Sequence, residues 1–235
     1  IAPIIHLLNI PISFSNIYLL SGQAFTLNLI LGLGSRLVPM LTRVPSAISP
    51  ETAGNNKKRL EFLALAITLN LSFVGEFLNV IQPSYQLRAF VCLFIAIKHF
   101  KILQKPMTRS YVGIGLRSAV WMLILGYTLL SFVSVENQAK WLGLQHLVFI
   151  AGFSLLTLMV ATRVTLAHAG HSLDHEKSAK LLLPTIILFL TASILRLVLT
   201  LSIFPENYEL QLLTAMVGFI AAIALWLWQL RKALF

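Results

Sequence analysis

Seven long apolar runs dominate this chain, and they leave few folds open to it. Crossing the hydrocarbon core of a bilayer takes about 20 predominantly apolar residues in a helix. Runs that meet this demand lie at about 17–41, 62–82, 86–104, 115–135, 143–167, 180–204 and 209–230. With no water available, backbone N–H and C=O groups must be satisfied within the segment, which an α-helix achieves. The expected fold is all-α, a polytopic transmembrane helix bundle of about seven spans in a single domain over residues 1–235. Composition supports this, because only 11% of residues are charged, whereas a soluble domain needs roughly 25% to solvate its surface.

The connections differ in character. Residues 42–61 are rich in Pro, Ser, Asn and charge and read as a polar loop, while Gln82-Pro83-Ser84 and Pro205-Glu206-Asn207 read as tight turns. Residues 1–16 are apolar but interrupted by Pro3 and Pro11, which suggests the end of an earlier helix followed by a turn. The first residue is Ile1 and no charged segment precedes an apolar core, so no signal peptide is expected. The expectation is the C-terminal part of a longer protein.

The formal net charge of +10 could point to a nucleic-acid partner, but the cations sit in short stretches between apolar runs. That is a topology signal. One side collects Arg43, Lys57, Lys58, Arg59, Lys98, Lys101, Lys105, Arg109, Arg117, Arg163, Lys177, Lys180, Arg231 and Lys232. The other side collects Arg88 and Lys140, near Glu136, Glu206 and Glu209. The bias implies a multi-pass membrane protein with its C-terminus in the cytoplasm, and lipid rather than nucleic acid as the partner.

Ionisable groups inside a bilayer are costly enough to need a partner or a task. Glu76 lies toward the outer end of the second span, and Arg196 in the outer half of the sixth. His146 opens the fifth span from outside, and His6 precedes the first span on the same side. A cluster of His, Arg and Glu at that depth could hold a haem, with Arg paired to propionates. It could equally be a structural Glu76–Arg196 pair with His146 at the water interface.

A second group gathers at the cytoplasmic side: Arg36, His99, Arg163, His168, His171 and His175. His168, His171 and His175 follow i, i+3, i+7 spacing, so on a continuous helix three imidazoles would share a face and could bind copper or zinc. Gly170, Asp174 and Glu176 argue for a solvated loop instead, and Arg36 could simply snorkel to the interface. His146 and His168 are 22 residues apart, about 33 Å along a helix, so they cannot ligate one ion. Cys92 is the single cysteine, which excludes an internal disulfide and a thiolate metal cage. Gly32 and Gly34 lack the third glycine of a nucleotide fingerprint and suit close helix packing, while Trp226 and Trp228 suit an aromatic interface belt.

Two stretches carry a resemblance. GLGSRLVPMLT at 32–42 resembles the glycine–arginine–proline helix end of the NnrS family, and HLVFIAGFSLLTLMVATRVTLAHAGH at 146–171 resembles that family's most distinctive segment. WMLILGY at 121–127 and Leu195-Arg196 follow in the same order. The resemblance implies the C-terminal part of a roughly twelve-helix, haem- and copper-containing bacterial membrane protein linked to nitric oxide stress and denitrification. Carried over residue by residue, His146 and His168 match family histidines, and Arg36, Arg163 and Arg196 match family arginines. Ile124 stands where a His is expected, Ala167 replaces the first Gly of the closing motif, and His171 replaces its Arg.

The resemblance therefore implies a haem b protein that handles nitric oxide or its iron adducts, with His146 as haem ligand and His6 or an absent helix supplying a partner. Arg196 would neutralise a propionate or a bound anion. His168, with His171, Arg163 and Arg36, would serve a separate cytoplasmic site for copper or an anion. The alternatives are a metal-free small-solute permease, favoured if Glu76, Asn79 and Arg196 line an aqueous cavity, and an assembly subunit of a membrane respiratory complex.

Overall fold

The computed structural model describes residues 19–42, 44, 56–107, 109–133, 138–170, 179–200 and 208–234. Among these residues every regular element is helical. A π-helical stretch, Leu19–Ala24, leads directly into α1, Phe25–Leu41. Then follow α2 (Asn56–Phe77), α3 (Ile81–Lys98) and α4 (Tyr111–Leu130). The helix α5, Gln138–His146, continues through a second π-helical stretch, Leu147–Ser154, into α6, Leu155–His168. The chain ends in α7 (Leu182–Thr200) and α8 (Tyr208–Leu234).

These elements make seven rods among the described residues, in agreement with the seven apolar runs. Five are long and apolar enough to cross a membrane: Gly22–Leu41, Asn56–Phe77, Tyr111–Leu130, Lys140–His168 and Leu212–Arg231. A shorter apolar helix covers Leu182–Val198, and α3 carries Gln82, Ser84, Gln86 and Arg88 in its first half.

The hairpin between α2 and α3 lies elsewhere than expected. The turn is at Leu78–Val80, and Gln82, Pro83 and Ser84 belong to the first turn of α3. Pro83 is tolerated there because a first-turn N–H has no helical acceptor to lose. The turn itself is made by Asn79, whose φ of 63° is left-handed, while the Val80 N–H donates to Gly75 O at 2.8 Å. That is the chemistry of a helix C-terminus closed by Asn in place of Gly. At the other end α2 begins at Asn56, so Lys57, Lys58 and Arg59 occupy its first turn rather than a loop. The start of α4 is also earlier than expected, because the Ser110 Oγ accepts the Gly113 N–H at 3.1 Å and caps the helix. The turn expected at Pro205-Glu206-Asn207 and the helix end expected in residues 1–16 lie outside the described residues.

The core is centred on α4, whose Leu116, Ala119, Val120, Leu123 and Tyr127 are buried against α3, α6 and the second π-helical stretch. The most extensive helix pair is α7 with α8. Leu63, Ile67 and Leu71 on α2, with Leu213, Val217 and Ile220 on α8, leave an exposed apolar perimeter suited to lipid. Lipid is as apolar as leucine, so association rests on close packing and hydrogen bonds. Glycines provide the approach. A Cβ on Gly126 would stand 2.5 Å from Val148 Cγ2, and one on Gly152 would stand 2.4 Å from Leu123 Cδ2. The packing role expected of Gly34 is present, with the Phe100 ring 3.0 Å from a Cβ placed there, but Gly32 has nothing within 4 Å.

Trp226 corrects the belt assignment: its Nε1 donates to Thr162 Oγ1 at 2.7 Å, joining α8 to α6. Trp228 is exposed. Gly152→Val should destabilise the protein by about 1–3 kcal/mol through overpacking. Gly32→Ala should be neutral or gain up to about 1 kcal/mol of helix propensity. Reversible unfolding in mixed detergent micelles measures both.

Candidate functional site

Near the end of the bundle opposite the cation-rich rim, four rods bring polar side chains together. Ser72 and Glu76 are i, i+4 on α2, while Tyr85, Arg88 and Cys92 are i, i+3, i+7 on α3, so each set shares a helix face. The short hairpin turns these faces toward each other. Gly75 permits the approach, since a Cβ there would lie 2.6 Å from Ser84 Oγ.

Arg88 is at the centre. Its side chain has 0% exposure, and its Nη2 forms an ion pair with Glu76 Oε2. Its Nε donates to Ser72 Oγ at 3.0 Å and its Nη2 to Ser72 O at 3.1 Å. The guanidinium also lies 3.7 Å from the Phe73 ring centroid and 4.7 Å from that of Tyr85. Aromatic faces stabilise a desolvated cation, by about 2 kcal/mol in favourable cases. Arg88 is therefore a core residue rather than the outer-loop cation expected from the charge count. The misplacement follows from the misplaced hairpin: α3 begins at Ile81, so Arg88 is two turns inside it.

The same pair corrects the expected Glu76–Arg196 bridge. The Glu76 carboxylate is taken by Arg88, its neighbour across the hairpin, and not by an arginine from α7. Arg196 is half-buried on α7.

From Glu76 the network crosses the bundle. Tyr85 OH donates to Glu76 Oε1 at 2.8 Å, and Gln145 Nε2 donates to Tyr85 OH at 2.8 Å. Gln23 Nε2 in turn donates to Gln145 Oε1 at 3.1 Å. Gln23, Gln145 and Tyr85 are all buried, and the Tyr127 ring stacks on Tyr85 with centroids 6.2 Å apart. Cys92 is buried and not in a disulfide. Hydropathy gave no hint of Gln23, Tyr85 or Gln145; the helix-face spacing of Ser72 with Glu76 and of Tyr85 with Arg88 was the available signal.

His146 follows Gln145 directly. It does not open its rod as expected but ends α5, at the junction with the π-helical stretch. Its Nδ1 lies 2.6 Å from Leu142 O, and since a carbonyl can only accept, Nδ1 carries the proton. In the neutral ring Nε2 then presents a lone pair, the arrangement a metal-ligating histidine usually has. His168 repeats it at the far end of the rod, with Nδ1 2.9 Å from Val164 O, and is exposed. The uninterrupted helical path from Gln138 to His168 keeps the two imidazoles 22 residues apart along one rod, as the spacing required.

The helix α6 stops at His168, and Gly170 adopts a φ of 72°, a conformation that ends helices. His6, His171 and His175 lie outside the described residues. Arg163 is half-buried on α6, and Arg36 is exposed on α1. His99 lies instead beside Glu61, with Nε2 3.1 Å from Glu61 Oε1, and Lys98 Nζ is 2.6 Å from the same oxygen. Among the described residues no three His, Cys, Asp or Glu side chains converge as a metal cluster. Ile124, at the position where a family histidine was expected, is buried in α4.

These features define a polytopic helical membrane protein with a buried arginine–carboxylate network near one rim and two well-separated imidazoles on one rod. The family model described as NnrS protein matches residues 4–235. The chain belongs to the NnrS family. No curated protein and no solved structure matches it.

The network yields a direct test. Removing one partner of a buried ion pair strands the other, so Arg88→Met or Glu76→Leu should each cost about 3–5 kcal/mol. The double variant should cost clearly less than the sum, and Tyr85→Phe about 1 kcal/mol. Unfolding free energies in a double-mutant cycle measure the coupling.

Proposed function

We propose that this NnrS-family membrane protein binds a b-type haem through His146 and acts in the handling of nitric oxide under nitrosative stress. The observation that carries the reading is the state of His146, whose Nδ1 is committed to Leu142 O while Nε2 is left as a donor atom. Family membership supplies the chemical context.

The donor set can be judged against each cofactor that the family implies. A haem needs only one or two axial ligands from the protein, because the porphyrin supplies four nitrogens; a half-buried imidazole with its Nε2 lone pair fits that demand. Copper would need several protein ligands in convergence, and among the described residues none is assembled. A copper site at His168 would have to draw on His171 or on other donors outside the described residues. When bound, a ferrous haem would supply an iron centre with affinity for nitric oxide.

The chain's own residues would contribute position and electrostatics. Gln145 is held from both sides by Tyr85 and Gln23, so the backbone that carries His146 cannot rotate freely. Leu147 and Val148 are buried beside it and keep that junction apolar. Arg196, cationic and half-buried on α7, would neutralise a propionate or a small anion. Arg163 and Arg36 would serve an anion at the cation-rich rim. By the positive-inside rule that rim faces the cytoplasm, which puts His146 in the outer half of a bacterial inner membrane and the C-terminus inside.

The permease alternative has less support. Glu76 is neutralised by Arg88, and Asn79 is used in the hairpin turn, so two of the three groups expected to line a polar path are committed to structure.

The reduced-minus-oxidised visible spectrum of the purified full-length protein, with iron and copper analysis of the same sample, tests the proposal. A b-type spectrum with stoichiometric iron is expected. His146→Ala should lose most of the haem, and His175→Ala should retain it. Equal loss in both variants, or in neither, would overturn the assignment.

A further inference from the structure

At the cation-rich rim, the start of α7 and the end of α8 enclose an open cavity of about 240 Å³ lined by Leu181, Trp228, Gln229 and Arg231. Its parts are held in place. The Arg231 guanidinium lies 3.7 Å from the centroid of the Trp228 ring, a stacked position that fixes its planar donors. The Gln229 Oε1 accepts the Leu181 N–H at 3.3 Å and pins the entry to α7 against α8. Lys180, which is exposed, directly precedes Leu181 of that lining. The first turn of α7 contains no acidic residue to offset these cations.

Below the rim the same two helices present apolar surface. Leu183 and Ile187 on α7, and Leu227 and Ile220 on α8, are exposed. Two cations and an indole at the interface, above a continuous apolar pair of helices, match one kind of molecule on both counts: a phosphate head with acyl chains. Basic pockets between helix ends are a known means of holding anionic lipid headgroups. A soluble anion would use only the upper half.

We propose that this cavity binds the headgroup of an anionic phospholipid from the adjoining leaflet, with its phosphate on Arg231 and Lys180 and its chains along α7 and α8. The site does not depend on the haem reading, since none of its residues takes part in that reading and it involves no metal.

The test is a titration of the full-length protein in uncharged detergent, reading the melting temperature against added dioleoylphosphatidylglycerol. Dioleoylphosphatidylcholine and inorganic phosphate serve as comparisons. Phosphatidylglycerol should raise the melting temperature saturably, and neither comparison should. Arg231→Gln and Lys180→Gln should each weaken the half-saturating concentration roughly fivefold, the effect of one basic side chain at an anionic surface. Lys105→Gln, on the same rim but away from the cavity, should leave it unchanged.

An equal response to phosphatidylcholine or to phosphate would overturn the proposal, as would equal weakening by Lys105→Gln or an unchanged response in the Arg231 and Lys180 variants. Phosphatidylglycerol with brominated chains should also quench wild-type tryptophan fluorescence, with most of that quenching lost in Trp228→Phe. Quenching that is undiminished in Trp228→Phe would count equally against the site.

Discussion

A guanidinium with no exposed surface, two turns below a helical hairpin in a membrane protein, has to be satisfied by the protein itself. Much of the first half of the bundle is organised around Arg88. The hairpin is short, so that Glu76 on α2 can meet Arg88 on α3, and Asn79 takes a left-handed conformation to make it short. Gly75 is without a side chain where Ser84 comes close. Ser72 offers both its hydroxyl and its carbonyl, and Phe73 and Tyr85 offer their ring faces. Few other positions of α2 against α3 would satisfy all these contacts at once, so the ion pair specifies register as well as stabilising the pair. Tyr85 and Gln145 then pass that constraint to the rod bearing His146, and Gln23 passes it to the first rod.

The two π-helical stretches adjoin this network. Leu19–Ala24 contains Gln23, and Leu147–Ser154 begins immediately after Gln145 and His146. A π turn is wider than an α turn and its hydrogen bonds reach one residue further, so it is kept only where surrounding contacts compensate. Gly126 and Gly152 allow α4 to pack tightly against the second stretch, which supplies such contacts. The wide turns thus sit where the helices present their buried amides to each other. In the same rod His146 and His168 are kept 22 residues apart, so whatever chemistry each serves is separate in space.

The helical, membrane-spanning character of this chain was legible in its hydropathy, and the helix count followed from the same runs. Arg88, counted with the cation-poor side, is instead a core residue. That residue was misread because loop boundaries were taken from proline, whereas Pro83 sits comfortably in a first helical turn. Glu76 was correctly seen as needing a partner, yet the partner named was Arg196. Depth in the membrane can be counted along a sequence, but which of two cations at similar depth faces a carboxylate depends on helix rotation. Trp226 was assigned to the lipid interface on position alone, and its indole instead turns inward to Thr162. Gly32 and Gly34 looked equivalent, but only Gly34 meets a neighbour.

By itself, then, the sequence determined the medium, the helical character and the order of the rods. These depend on hydrophobicity averaged over about 20 residues and on residue chemistry, both of which are local. The tertiary structure decided the pairings: Arg88 with Glu76, Tyr85 with Gln145, and α7 with α8 around a basic cavity. It also decided that the His146 ring would commit Nδ1 to its own helix and leave Nε2 as the donor. Such outcomes depend on which faces of separate helices meet and at what rotation, a property of packing that hydropathy does not encode.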